Sequence, residues 1–307
     1  MAARIFIDGE AGTTGLEIRE RLAGRTDVEL VAIAPEQRKD RNAKKEILSS
    51  VEVAILCLPD DAAKETVALC DALGEAAPRI LDASTAHRVA PGWVYGFPEL
   101  CPGQPEAISK AARVANVGCY ASSAIALLRP LIDAGLLLAD HPLTINAVSG
   151  YSGGGRQMIE AYEQGVAPAF ELYALGLEHK HIPEIMAYAR LAQRPLFVPS
   201  VGNFRQGMLV SIPLLLETLP GRPKAADLHD AYARHYLGAA HVRLCEAPQN
   251  GKLDALALNG SDDMEVYVFA NENRRQAVLV ARQDNLGKGA SGAAVQNLDL
   301  MLNGGEF

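Results

Sequence analysis

The chain has no C-x-x-C pair, no run of clustered lysines and arginines, and no stretch of 18 uninterrupted apolar residues. Each absence removes a class of protein. Without paired cysteine spacing a structural zinc is not expected. The five cysteines, at 57, 70, 101, 119 and 245, are an odd number in a long chain and read as reduced thiols rather than a disulfide framework. With 29 Lys and Arg against 37 Asp and Glu, a net charge of −8, no positive surface is expected for nucleic acid or an anionic membrane. The start, Ala3-Arg4-Ile5-Phe6-Ile7-Asp8-Gly9, lacks the long apolar region of a leader, so the expected compartment is the cytoplasm. Internal repeats and low-complexity tracts are also missing.

What remains is the composition of a globular protein: 307 residues, 49% apolar and 21% charged. A chain of this length can bury about three quarters of its unfolded surface, and about two domains are expected. Apolar runs at residues 4–8, 28–34, 51–58 and 79–82 alternate with helical patterns at 14–22 and 64–73. Strands alternating with helices imply a parallel, doubly wound sheet. The continuous apolar character of Val53 to Leu58 suits a strand covered on both faces.

From Cys119 a helical pattern runs to about Leu138, and Pro130 inside it predicts a kink or a join. Beyond it the texture changes. Strands are expected at 144–148, 208–215, 265–270 and 276–281 in a second, more antiparallel sheet, with helices near 154–164, 183–191 and 224–236. A boundary near residue 118 follows. The last helix, 291–302, is expected to return to the first domain, giving 1–117 plus 285–307 and 118–284.

Three segments carry chemistry. Gly9-Glu10-Ala11-Gly12-Thr13-Thr14-Gly15 follows a strand and opens a helix. Glycines there let the backbone turn tightly and approach a pyrophosphate, whose charge the helix N-terminus stabilises. The G-x-x-G-x-x-G spacing differs from the commonest NAD fingerprint, and a tight turn without ligand is the alternative. After the second strand, Arg38 and Lys39 favour the 2′-phosphate of NADP, although a solvated loop explains either charge alone.

In Asn116-Val117-Gly118-Cys119-Tyr120 the cysteine stands at a loop-to-helix junction, where the helix dipole favours thiolate. Cys119 is therefore a nucleophile candidate, against the alternative of inert packing. In His179-Lys180-His181-Ile182-Pro183-Glu184, extended backbone would turn both imidazoles to one face before a helix opened by Pro183. Acid–base work, a two-histidine metal site and plain hydrogen bonding remain open, though no third metal ligand is evident. Loops 149–156 and 202–208 combine glycines with Arg156 and Arg205, which suit a carboxylate or phosphate. A glycine-rich loop, 285–297, feeds the last helix.

Together with Asp82 to Arg88, Tyr95 to Leu100 and Asp284 to Asn297, these segments resemble the shorter-type N-acetyl-gamma-glutamyl-phosphate reductase family, related to aspartate-semialdehyde and glyceraldehyde-3-phosphate dehydrogenases. The likeness runs nearly end to end. It departs at Val117, where the family often has proline. The resemblance implies a Rossmann-type NADP-binding domain and a second α+β catalytic and dimerisation domain. It also implies a homodimer or homotetramer, and reduction of an acyl phosphate by NADPH with release of inorganic phosphate, in arginine biosynthesis. Cys119 would carry a thioester, and His179 or His181 would handle the proton. Ser84 and Asn297 would touch the cofactor, and Asn116, Ser149, Arg156 and Arg205 the substrate. Aspartyl or aminoadipyl phosphate, or a non-catalytic NADP-binding role, are the alternatives. No metal is expected.

Overall fold

The computed structural model describes residues 2–38 and 40–304. The chain divides into two compact units, one of Met1–Pro98, Gly103–Val117 and Ala290–Phe307, the other of Glu99–Pro102 and Gly118–Gly289.

The first unit runs β1 (Ala3–Asp8), α1 (Thr13–Leu22), β2 (Val28–Val31), α2 (Arg41–Leu48), β3 (Val53–Leu56), α3 (Asp60–Asp71), β4 (Arg79–Asp82), β5 (Val94–Gly96), α4 (Gln104–Lys110) and β6 (Arg113–Asn116). The six strands form one all-parallel sheet in the order β2-β1-β3-β4-β6-β5. Period-two geometry splits each apolar run between two cores. Ile5, Ile7, Val53, Ile55 and Leu81 join α1, α4 and the C-terminal helix on one face. Phe6, Ala54, Leu56 and Ile80 join α2 and α3 on the other. Strands buried on both sides therefore have no polar alternation. The chain leaves β1 for β2 on one side and returns to β3 on the other, so the direction of winding reverses at the β1/β3 carboxyl ends. Ligands of such sheets bind at that crevice.

The second unit contains α5 (Cys119–Asp133), β7 (Thr144–Gly150), α6 (Arg156–Glu163), β8 (Phe170–Leu172), α7 (Ile182–Tyr188), β9 (Leu196–Gly202), β10 (Met208–Leu215), α8 (Ala225–His235), β11 (Val242–Cys245), β12 (Met264–Asn271) and β13 (Gln276–Gln283). α9 (Gly292–Asn303) belongs to the first unit. The second sheet, ordered β11-β12-β13-β10-β7-β9-β8, is mixed: β11–β12 and β7–β9 are parallel pairs among antiparallel ones. α5 and α8 pack on one face. The opposite face carries a groove of about 700 Å³ lined by Phe170, Leu172, Leu209, Phe269, Val278 and Val280, together with Gly251 and Leu253 from the segment between β11 and β12.

Two expectations about α5 are corrected. The helix stops at Asp133 rather than near Leu138, because Gly135 adopts φ +70° and ends it. Gly135 N–H then bonds Ile132 O, and Leu136 N–H bonds Leu131 O at 2.9 Å, a Schellman closure that outweighs the continuing apolar pattern. Pro130 makes no join and lies inside α5. The carbonyl of Ala126, which Pro130 cannot engage, accepts instead from Tyr236 Oη at 2.7 Å. The second apolar run is also shorter as a strand than 28–34, since β2 ends at Val31 and Pro35 opens a 3-10 turn.

Candidate active site

In the first unit the glycine turn joins β1 to α1 at the reversal point. Gly9 has φ +92°, and a Cβ there would fall 2.3 Å from Cys57 O. A Cβ on Gly15 would fall 2.4 Å from Gly9 O, so both positions require glycine. Gly12 N–H donates to Gly9 O at 3.0 Å and caps α1 without a side chain. Thr13 and Thr14 follow as its first residues, leaving the opening N–H groups of α1 without a side-chain cap. Asp8, at the end of β1, is buried and accepts from Lys44 Nζ at 2.7 Å and Thr66 Oγ1 at 3.0 Å. Arg38 lies beside the turn, its guanidinium 2.7 Å from Glu10 Oε1. Lys39 lies outside the described residues.

Beyond β4, Ser84 is buried and its hydroxyl donates to Asp82 Oδ2 at 2.8 Å; His87 Nδ1 shares that oxygen at 2.6 Å. Asn297, on α9, donates through Nδ2 to Gly96 O and to Asn116 Oδ1, both at 2.9 Å. Its Oδ1 is buried with no hydrogen-bond partner among the described residues. Asn116 in turn donates to Ala290 O at 2.9 Å and its own carbonyl accepts from Arg88 Nε at 3.1 Å.

In the second unit Cys119 is the first residue of α5, behind the Gly118 cap, and is partly exposed. Three neighbours fix this corner. Gly118 N–H donates to buried Glu184 Oε2 at 3.1 Å. Gln283 Nε2 donates to Cys119 O at 2.7 Å. Gly289 approaches so closely that a Cβ there would lie 2.8 Å from Cys119 Cβ. Two other thiols are disfavoured as nucleophiles: burial, with Asp82 and Asp8 adding repulsion, pushes Cys57 up to about 12, and burial pushes Cys70 up to about 11.

His179 and His181 share one side of the site, their ring centroids 4.7 Å apart and each 5.9 Å from the buried Tyr120 ring. They meet without the expected extended stretch. His181 is helical (φ −85°, ψ −12°) and caps α7, and its N–H bonds His179 Nδ1 at 3.1 Å. Among the described residues no cluster of three or more His, Cys, Asp and Glu side chains could hold a metal ion.

The two arginine-bearing loops lie against each other. Tyr151 N–H bonds Phe204 O, Ser152 N–H bonds Arg205 O, and a Cβ on Gly150 would meet Arg205 O at 2.5 Å. Ser149 is buried on β7, and Arg156 opens α6 after Gly155 at φ +75°. Arg205 turns its guanidinium outward to Glu163 at 3.0 Å. Asn285 ties the loops together, donating to Ser152 Oγ at 2.9 Å and accepting from Gly207 N–H at 2.9 Å. The segment 283–289 thus reaches from the Cys119 corner to both loops. Asn285 and Gly289 stand out in the sequence only within the 284–297 motif that carries the resemblance, and Gln283 lies just past the strand expected at 276–281. Glu184 resembled an ordinary first-turn acid, since nothing local reveals its remote partner Gly118.

Residues 119–285 match the family described as semialdehyde dehydrogenase, dimerisation domain, and residues 36–111 match semialdehyde dehydrogenase, NAD binding domain. An N-acetyl-gamma-glutamyl-phosphate reductase of Chelativorans sp. is 55% identical over 311 residues, 99% of each chain. N-acetyl-gamma-glutamyl-phosphate reductase 2 of Pseudomonas putida is 53% identical, over 97% of this chain and 96% of the relative. Among solved structures, aspartate semialdehyde dehydrogenase II of Vibrio cholerae superposes with a TM-score of 0.74 at 15% identity, over 99% of both chains. The Candida albicans enzyme solved with NADP gives 0.66 at 14% identity, again over 99% of both chains. At such identity the likeness concerns the fold alone.

Proposed function

Because the chain belongs to the semialdehyde dehydrogenase family, and within it to the N-acetyl-gamma-glutamyl-phosphate reductases, we propose that it reduces N-acetyl-5-glutamyl phosphate to N-acetylglutamate 5-semialdehyde with NADPH, releasing phosphate, as a step of arginine synthesis. The observation that carries this reading is Cys119 at the first position of α5, behind a glycine cap and against Gly289. The helix start favours thiolate there.

The Cys119 thiolate adds to the acyl carbon, and collapse of the tetrahedral oxyanion breaks the bond to phosphate and leaves a thioester on Sγ. N–H groups in the first turn of α5, which lack helical partners, stabilise the oxyanion. NADPH, when bound, supplies the hydride that takes the thioester to the aldehyde level. One imidazole of the His179/His181 pair exchanges the proton of the thiohemiacetal, whose C–S bond then breaks to give aldehyde and thiolate. Arg156 and Arg205 bind the phosphate and carboxylate, Arg205 leaving Glu163 to do so, with Ser149 as a further substrate contact of the second unit and Asn116 as one of the first.

The first unit has features that fit NADP. The cradle of Gly9, Gly12 and Gly15 admits a pyrophosphate, and the uncapped start of α1 at Thr13 and Thr14 favours its charge. Arg38 and Lys39 serve the 2′-phosphate, and Asn297 Oδ1 is a buried acceptor awaiting a donor. Ser84 stands at the same carboxyl edge of the sheet. In this reading the first unit is the NADP-binding domain and the second the catalytic and dimerisation domain, so that 99–102 and 285–289, expected with the first, go with the second.

The grooved apolar face of the second sheet pairs with a second copy of the chain, in a homodimer or a larger homo-oligomer. Its support is the groove across that face and the dimerisation-domain match over 119–285. A reducing cytoplasm suits five cysteines that form no disulfide. No helix among the described residues is long and apolar enough to cross a membrane.

Phosphate-dependent NADP reduction with N-acetylglutamate semialdehyde tests the activity. A higher kcat/KM with aspartate or aminoadipate semialdehyde would overturn the substrate assignment. Cofactor binding without turnover on any of the three would overturn the enzymatic reading.

A further inference from the structure

The second unit buries a charge pair that the chemistry above leaves unused. Lys288 is 1% exposed, and its Nζ donates to both carboxylate oxygens of Glu99, at 2.8 and 2.7 Å. The Glu99 side chain is itself 4% exposed. Desolvation lowers the pKa of Lys288, and the Glu99 charge opposes that. Such a pair adds little stability over apolar side chains of the same volume, whereas removing one partner strands the other charge. Its worth must therefore be sought in what it holds.

Lys288 sits in a single π-turn, Gly287–Ser291, and both of its neighbours are pressed against other parts of the unit. A Cβ on Gly287 would fall 2.0 Å from Ser261 O, and one on Gly289 would fall 2.8 Å from Cys119 Cβ and 3.3 Å from Cys119 Cα. Gly289 N–H bonds Asp284 O at 3.1 Å. On the other side of the pair, the Glu99 carbonyl accepts from His235 Nε2 of α8 at 3.1 Å. Residues 99–102 count with this unit although their chain neighbours on both sides belong to the other. The pair therefore anchors a π-turn, a form with poor intrinsic stability that recurs at functional sites, directly behind the cysteine.

We propose that Lys288 and Glu99 are positioning residues for Cys119: their bidentate ion pair pins the π-turn so that Gly289 closes on Cys119 Cβ and holds the sulfur in its attacking orientation. Neither side chain reacts. Their effect passes through the main chain of Gly289, and the inference rests on Cys119 being the nucleophile.

The test uses the full-length protein with Lys288→Met, Lys288→Arg and Lys288→Met/Glu99→Leu variants. It reads kcat, KM, melting temperature and the rate of iodoacetamide alkylation at Cys119 by peptide mass spectrometry. In Lys288→Met the stranded Glu99 pulls the turn out of place. Well below the melting temperature, kcat and the Cys119 alkylation rate should then change together, kcat falling about 100-fold as for a misplaced reacting group, with KM little altered. The double variant has no buried charge to strand and should regain about tenfold of that loss. Lys288→Arg keeps the charge and should stay within about tenfold of the unmodified protein. The proposal is overturned if folded Lys288→Met keeps unmodified kcat and alkylation. It is overturned equally if the double variant is no better than Lys288→Met, because the charge itself would then act on the reaction. Should Lys288→Met fail to fold, the double variant decides alone: activity near that of Lys288→Arg supports the positioning role, and collapse or inactivity overturns it. An active Cys119→Ser enzyme would instead refute the nucleophile assignment beneath the inference.

Discussion

The main-chain N–H of His181 donates to Nδ1 of His179 at 3.1 Å, so Nδ1 carries no proton and the neutral His179 ring holds its hydrogen on Nε2. That nitrogen faces Tyr173 Oη at 3.5 Å. Taking up a proton at Nδ1 would cost His179 the bond from His181, so proton exchange with the thiohemiacetal is expected at His181. His181→Asn should lower kcat by about 10²–10⁴, as for a lost acid–base group, while His179→Asn should act mainly through KM. Steady-state kinetics of the two variants check this, and the reverse ranking would refute it.

Thiol reactivity should separate by burial. With Cys57 pushed up to about 12 and Cys70 to about 11, their thiolate fractions at pH 8 are lower than one by roughly four and three decades (12 − 8 and 11 − 8). Cys245 is also raised by burial. Brief iodoacetamide treatment at pH 8 should therefore label Cys119 ahead of these three, with activity lost in step. Cys119→Ser should bind NADPH but lose turnover by several orders of magnitude, because its hydroxyl is scarcely ionised. Inactivation that tracks another cysteine would refute the covalent route.

Cofactor preference should depend on Arg38, which already leans over the glycine turn through Glu10. A charge-assisted contact to a 2′-phosphate contributes about 1.5–3 kcal/mol. Arg38→Ala with Lys39→Ala should therefore weaken NADPH binding by about 10-fold or more and leave NADH unchanged. Fluorescence titration of both cofactors measures it. Equal affinity for the two in the unmodified protein would remove the basis of the assignment.

The elements most legible in the sequence are those whose burial is one-dimensional. β4 and β10 occupy the spans expected, 79–82 and 208–215, because buried strands leave unbroken or strictly alternating apolar patterns. β5 is three residues long, too short for a period to register. α2 reads Arg-Asn-Ala-Lys-Lys-Glu before its first buried residues, so its apolar face is only Ile47 and Leu48. β9 contains Pro199, normally a strand breaker, yet pairs in register with β7. At the site, Cys119 and the histidines announce themselves by residue type and helix position. Gln283, Glu184 and Lys288 do not, because their partners lie 164, 66 and 189 residues away.

The grooved face of the second sheet gives the last prediction. Val278 lies on β13, in register between Pro213 of β10 and Phe269 of β12, and is 38% exposed in the single chain. An aspartate there can reach water in a lone subunit, so the fold should tolerate it. In a homodimer closed over this face the carboxylate would be buried without a partner on both copies. At about 2 kcal/mol for each polar burial, the dissociation constant should rise about 10³-fold. Val278→Asp should sediment as a monomer at concentrations where the unmodified protein is a dimer. Leu237→Asp is the control: that residue is 87% exposed, follows α8 on the covered side, and should leave the dimer intact. A dimer that survives Val278→Asp, or an unmodified protein that is monomeric throughout, would refute this face as the interface.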